Sequence, residues 1–252
     1  IPNHDIQAII VPTDLKHSYQ NDKLENYQHL ITDCVAQLDG LYYSLDSDTH
    51  TAKVIHTAAD DKSYDYYTGD IVIPAQITYQ GQEYQVVEIA ASAFCSCSID
   101  SITLPEGLVT IGNRAFDYCT NLRFVDMPDT VNNLGHGAFA GCSSLASVEF
   151  KEGVDTIGNN AFENCTSLRS VYMPDTIMRI KDYAFNNCIN INVVLLGEGT
   201  REIGERAFMF CNSLSAVLYK GTANQWFAMD VHSSNYTPLT ITATLYFYTT
   251  SA

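Results

Sequence analysis

A thiol can attack a carbonyl, ligate a metal or form a disulfide, and this 252-residue chain holds eight cysteines. Six recur on a near-constant step: Cys97, Cys119, Cys142, Cys165, Cys188 and Cys211, at intervals of 22, 23, 23, 23 and 23 residues. A zinc site needs ligands gathered at short intervals. The one close pair, Cys95 and Cys97, has no nearby His or further Cys to complete such a set. Single thiols on an even ladder predict one position per structural unit. They should form a buried column in which each free thiol packs as a small hydrophobe. Bridging neighbours within that column would distort the units. Cys34 and Cys95 stand outside it, and a bond between them is left open.

The other chemistry-bearing residues are scattered. Seven histidines (His4, His17, His29, His50, His56, His136 and His232) fall in no HExxH, GxSxG or P-loop context, so no enzyme and no cofactor is expected. Asp46-Ser47-Asp48 and Asp60-Asp61 offer carboxylates but no twelve-residue calcium loop, and they read as solvated turns with no metal. Tyr64, Tyr66 and Tyr67, near Lys62 and Asp70, could stack on sugar rings beside a carboxylate. Tyrosine is also an ordinary strand residue, and that explains the same cluster without a ligand.

The thiol ladder belongs to a longer pattern. Ala-Phe recurs at Ala93-Phe94, Ala115-Phe116, Ala138-Phe139, Ala161-Phe162, Ala184-Phe185 and Ala207-Phe208, always three residues before the Cys. An aliphatic triplet follows, as in Leu168, Val171 and Met173. A fixed period of this length is the signature of a solenoid whose coils stack into one continuous core. Strand side chains alternate, so Val171 points inward while Ser170 and Tyr172 point out. The residue closing the strand is Pro105, Pro128 and Pro174 in three copies and Lys151, Gly197 and Lys220 in the others. A strand ends there without requiring proline. Gly112, Gly135, Gly158 and Gly204 share one place before the Ala-Phe pair, but Ala90 and Lys181 also fill it, so no left-handed backbone is demanded.

Both ends of a solenoid need covers. In residues 1–40, Leu24, Tyr27, Ile31, Cys34 and Leu38 step by 3 and 4, which predicts a helix over roughly 22–34; the run 34–40 also reads as a lead into a strand. Residues 41–90 read as hairpins, one around Asp46–His50 and one around Gln80-Gly81. Asp70-Ile71-Val72-Ile73-Pro74 looks like a truncated repeat strand. The repeats occupy 91–220. Residues 221–252 form a closing cap, with Trp226 and Phe227 over the last coil and an alternating strand at 240–247.

The stretch from Leu168 to Cys188, Leu-x-x-Val-x-Met-Pro-x-x-Ile-x-x-Ile-x-x-x-Ala-Phe-x-x-Cys, resembles the BspA-like leucine-rich repeat family. The flanks around 39–43 and 69–74 and the segment Tyr219–Trp226 are similar to those that border such repeats. The resemblance implies a right-handed, curved α/β solenoid that is mostly β, with about six 23-residue repeats and β caps at both ends. It also implies export and binding of partners, since some members bind host matrix or plasma proteins. The family has no shared catalytic residues to carry over.

A net charge of −16 disfavours nucleic acid and anionic membranes, and no apolar run is long enough to span a bilayer. The start, Ile1-Pro2-Asn3-His4-Asp5, lacks the basic and apolar segments of a secretory signal, so a secreted or surface protein would be the trimmed form. The expected partner is a host or cell-surface protein, alternatively a glycan; a plain spacer is the third reading. Two outward columns on the concave strands are the candidate surface. The residues with anchoring chemistry are Phe124, Asp126, Glu149 and Tyr172, then an apolar group of Val193, Leu195 and Leu218.

Overall fold

The structure is a computed structural model that describes residues 33–56, 67–235, 239 and 243–247. Each coil carries one longer strand and one two-residue strand, joined by turns. The longer strands are β7 (Ser98–Thr103), β9 (Phe124–Asp126), β11 (Ser147–Glu149), β13 (Ser170–Tyr172), β15 (Val193–Leu196) and β17 (Ala216–Tyr219). Alternating with them are β8 (Thr110–Ile111), β10 (Asn133–Leu134), β12 (Thr156–Ile157), β14 (Arg179–Ile180) and β16 (Glu202–Ile203). Strands β9 to β17 pair in parallel in coil order and line the concave wall of a curved solenoid.

The turn holding Ala-Phe has no regular strand, yet it is bonded to its neighbour. In a middle coil the N–H groups of Arg114, Phe116 and Tyr118 donate to the carbonyls of His136, Ala138 and Ala140 in the next. This sideways aim comes from left-handed backbone at two positions per coil. Ser92, Arg114, Asn160, Tyr183 and Arg206 hold φ between 53° and 59°, and Ser96, Tyr118, Asn164, Asn187 and Phe210 between 58° and 61°. Glycine fills the two places only in one coil, at Gly137 and Gly141. The fixed glycine of the repeat lies elsewhere and does not have positive φ, as the Ala90 and Lys181 copies indicate. At Gly135 the coils come close: a Cβ there would lie 2.5 Å from the Asn113 nitrogen of the preceding coil.

The core repeats with the coils. The six Phe rings form one parallel stack, with centroid separations of 5.1, 4.9, 5.4, 5.3 and 5.3 Å from Phe94 to Phe208. The six thiols of the ladder are free and buried, as their spacing predicts. Their packing has a polar component as well. Each of the last five donates to the Phe carbonyl one coil back: Cys119 to Phe94 at 2.9 Å, Cys142 to Phe116 at 3.1 Å, Cys165 to Phe139 at 3.2 Å, Cys188 to Phe162 at 3.1 Å and Cys211 to Phe185 at 3.2 Å. A thiol is large enough to fill the site and supplies a weak donor that an alkyl group lacks.

Strands β1 (Asp33–Leu38), β2 (Leu41–Asp46) and β3 (Thr51–Ile55) form an antiparallel sheet at the amino end. It corrects the helix expected over 22–34 at its last two residues, which are strand; residues 22–32 lie outside the described residues. Asp39 and Gly40 have φ of 49° and 82°, the two-residue hairpin turn that Asp-Gly favours. The bond left open between Cys34 and Cys95 is not formed, since the Cys95 thiol is free. Strand β4 (Thr68–Val72) pairs in parallel with β7 and so supplies the truncated repeat strand. Strand β5 (Gln76–Tyr79) makes a hairpin with β6 (Gln82–Ile89), which continues in parallel into β8 and β10.

At the other end, helix α1 (Ala223–Ala228) starts with a reciprocal cap between Thr222 and Gln225. Trp226 is buried edge-on to Tyr219 at 5.7 Å, as a core plug should be. Phe227 does not join it: the ring is 81% exposed on the far side of the helix, because adjacent helical residues face different ways. Strand β18 (Asp230–Val231) extends the β12–β14–β16 sheet, and β19 (Thr244–Phe247) adds in parallel to β17. Between them a short 3₁₀ turn, Ser233–Asn235, imitates a seventh coil with side chains. Ser234 Oγ accepts the Arg206 N–H at 2.7 Å and Asn235 Oδ1 accepts the Phe208 N–H at 3.1 Å. Backbone carbonyls are the acceptors at these places in every earlier coil.

Candidate functional site: the concave strand face

Parallel pairing without slippage puts equivalent residues side by side. One outward column reads Phe124, Ser147, Ser170, Val193, Ala216 and Thr244. The other reads Asp126, Glu149, Tyr172, Leu195, Leu218 and Tyr246. The central residues Val125, Val148, Val171, Val194 and Val217 are buried beneath them.

Phe124 is 46% and Tyr172 56% exposed, and Asp126 and Glu149 are exposed beside them. Val193, Leu195 and Leu218 are half-buried, so the carboxyl-terminal apolar group offers less surface than its composition suggests. Strand β19 lengthens the face there and brings Tyr246, 53% exposed, next to Leu218. Phe124 divides two open clefts. One, of about 470 Å³, is walled by Thr103, Glu106, Asp126, Asp129 and Lys151. The other, of about 460 Å³, is walled by Glu149, Glu152, Tyr172, Leu195 and Lys220.

The charges are ordered. Lys151 Nζ bridges the two carboxylates of the column, at 2.9 Å from Glu149 and 3.2 Å from Asp126. Those hydrogen bonds hold its ammonium above the ordinary lysine value. Lys220 pairs with Asp175 at 3.1 Å. A feature overlooked in the sequence is the carboxylate that follows the strand-ending position in five successive coils: Glu106, Asp129, Glu152, Asp175 and Glu198. All five are exposed. Their 23-residue spacing was the available signal.

The remaining candidates separate. Tyr67 is 3% exposed, so it cannot serve as a sugar platform. Its ring packs on Phe94 at 4.9 Å, tilted by 54°, and covers the first end of the aromatic stack. Its hydroxyl accepts the Tyr42 N–H and donates to the Ile55 carbonyl, both at 3.2 Å. Tyr64, Tyr66 and Asp60-Asp61 lie outside the described residues. Asp46 accepts the N–H groups of Thr49 at 3.1 Å and Asp48 at 2.9 Å, which lowers its pKa and makes it a turn residue. Burial raises the last five ladder thiols, Cys119 to Cys211, well above the usual range, Cys211 to about 12, so they are poor nucleophiles. Among the described residues no helix is long and apolar enough to cross a membrane.

The profile of the BspA type leucine rich repeat region matches residues 87–215 in 6 copies. Among solved structures, the chain is similar to a leucine-rich repeat protein of T. pallidum, with 30% identity and a TM-score of 0.62 over 71% of this chain and 78% of that one. It is also similar to a leucine-rich cell surface protein of Faecalibacterium prausnitzii, with 25% identity and a TM-score of 0.53 over 75% of this chain and 55% of that one. A leucine-rich repeat protein of Eubacterium ventriosum shares the fold at 20% identity and a TM-score of 0.59, over 78% of this chain and 50% of that one. The chain thus spans about half the length of the latter two. No curated protein matches. The chain belongs to the BspA-type leucine-rich repeat family.

Proposed function

We propose that this chain is a non-enzymatic binding module, secreted or displayed at a cell surface, that holds a host or cell-surface protein against its concave strands. The observation that carries this reading is the exposure of Phe124 and Tyr172. The repeat itself acts as a substitution series. The positions equivalent to Phe124 hold Ser101, Ser147, Ser170, Val193 and Ala216, and those equivalent to Tyr172 hold Thr103, Asp126, Glu149, Leu195 and Leu218. Small, polar or aliphatic side chains satisfy the coil at both places, so the fold does not need an aromatic ring at either. Aromatic side chains standing over clefts are the usual anchors of protein interfaces. Asp126 and Glu149 would set orientation at the rim, and Val193, Leu195 and Leu218 would extend the apolar contact. The family and its cell-surface relative support a binding or structural role.

The glycan reading loses Tyr67, which the core uses, and no described residue favours it over the concave face. The test is a screen of the purified chain against extracellular matrix proteins, plasma proteins and glycans at physiological salt. The expected result is a protein hit lost on changing Phe124, Tyr172 and Leu195. A hit of any class that survives those three changes refutes the concave face as the site.

A further inference from the structure

We infer that the partner meets this face with an extended, cation-rich segment whose apolar side chain sits between Phe124 and Tyr172; this rests on the concave-face reading. Phe124 and Tyr172 stand two strands apart and in different columns, two residues offset along the strand, so about 12 Å separates them at the usual strand spacing and rise, which leaves room for one apolar side chain between them. What surrounds that gap is acidic. Glu106 and Asp129 wall one cleft, and Glu152 walls the other. No ion pair or side-chain hydrogen bond engages these three carboxylates among the described residues. The two lysines of the face are already committed, Lys151 to Asp126 and Glu149, and Lys220 to Asp175.

The fold does not ask for this charge. The sixth coil has Gly221 where the others have an acid. Only Asp175 has a visible structural role, accepting the Glu198 N–H at 3.2 Å besides pairing with Lys220. Carboxylates on adjacent coils repel one another, so the column works against the solenoid. A segment bearing lysine or arginine would relieve that repulsion and be steered toward the aromatic pair. An acidic or phosphorylated partner would be rejected by the same column.

The experiment uses the full chain and three labelled peptides that share a central Leu-Phe pair flanked by lysines, by serines or by glutamates. Fluorescence polarisation should rank them lysine over serine over glutamate, with the lysine peptide about tenfold tighter than the serine one and weakened by added salt. The variant E106Q/D129N/E152Q changes only exposed side chains and leaves Asp175 alone. It should erase the lysine preference while keeping the wild-type unfolding temperature. Equal binding of the lysine and serine peptides, or a preference that persists in the triple variant, overturns the inference. So does silence from all three peptides, and the protein screen then decides the concave-face reading by itself. A second variant, Phe124→Ala/Tyr172→Ala, keeps the two failures apart. Loss of peptides that showed no lysine preference leaves the face standing and sinks the charge claim. Lysine-peptide binding unchanged in that variant sinks the face as the seat of binding.

Discussion

Replacing Asn235 with alanine removes the side chain that stands in for a missing coil. Its Oδ1 accepts the Phe208 N–H at 3.1 Å; its Nδ2 donates to the Gly204 carbonyl at 2.6 Å and to the His232 carbonyl at 3.3 Å. The residue is fully buried. In the variant the Phe208 N–H and the Gly204 C=O lose their partners inside the last turn. Each orphaned buried group costs about 1–3 kcal/mol, so the loss should be about 2–6 kcal/mol, toward the lower end if a water enters the vacated space. Ser234 supplies the control. Its half-buried Oγ caps the N–H of the exposed Arg206, where solvent can substitute, and Ser234→Ala should cost less than about 1 kcal/mol. Urea unfolding gives the magnitudes. Native-state hydrogen exchange gives the location, because a solenoid transmits stability through nearest neighbours. Protection should fall at Phe185 and Phe208 before it falls at Phe94 and Phe116. An Asn235→Ala loss no larger than that of Ser234→Ala, or exchange that rises evenly along the coils, would refute the account of the cap.

Among the described residues, Phe162 has three aromatic neighbours, with Phe139 and Phe185 stacked and Phe150 edge-on at 5.6 Å, whereas Phe208 stacks on Phe185 alone. Leucine at 162 should therefore cost about 1–3 kcal/mol more than leucine at 208, measured by chemical denaturation. Burial raises the pKa of Asp117 against the opposing pull of Arg114 and His136. The folded state then holds the proton more tightly than the unfolded chain, so this group lowers stability as pH rises through the carboxylate range. Asp117→Asn should stabilise the protein at pH 7, and the gain should vanish below about pH 4, where both states are protonated. Thiol titration of a Cys34→Ser variant should modify Cys95 alone until denaturant is added, because the six ladder thiols are buried and burial raises the pKa of the last five.

The solenoid was legible because a period survives local ambiguity: six Ala-Phe-x-x-Cys copies fix the stacking even where single strands are two residues long. The outward columns followed from strand alternation and held in register. What escaped were features that side-chain type does not encode. Left-handed backbone sits at Arg114, Tyr118, Tyr183 and Phe210, residues that give no hint of positive φ, where it serves hydrogen bonds between coils rather than a local turn preference. Residues 33–38 share a 3–4 apolar step with the segment before them, and that periodicity masked the Asp39-Gly40 hairpin signal. The thiol ladder was read as packing because burial and donation select the same residue. Asn235 carried no signal at all: it caps the last coil through tertiary placement, with no partner near it in sequence except His232. Of the candidate sites, Phe124 and Tyr172 stood out because strand alternation turns both rings outward beside Asp126 and Glu149. Tyr67 misled because a cap strand and a sugar platform favour the same side chain.

The most direct measurement is the dissociation constant of the first protein captured in the screen, for the wild type and for Phe124→Ser/Tyr172→Ser. Serine already occupies the Phe124 position in three other coils, so the fold should tolerate the change, which circular dichroism and the unfolding temperature will check. Two anchor residues at about 2 kcal/mol each predict weakening of at least about 100-fold. An unchanged dissociation constant in a folded double variant would contradict the concave face as the binding surface.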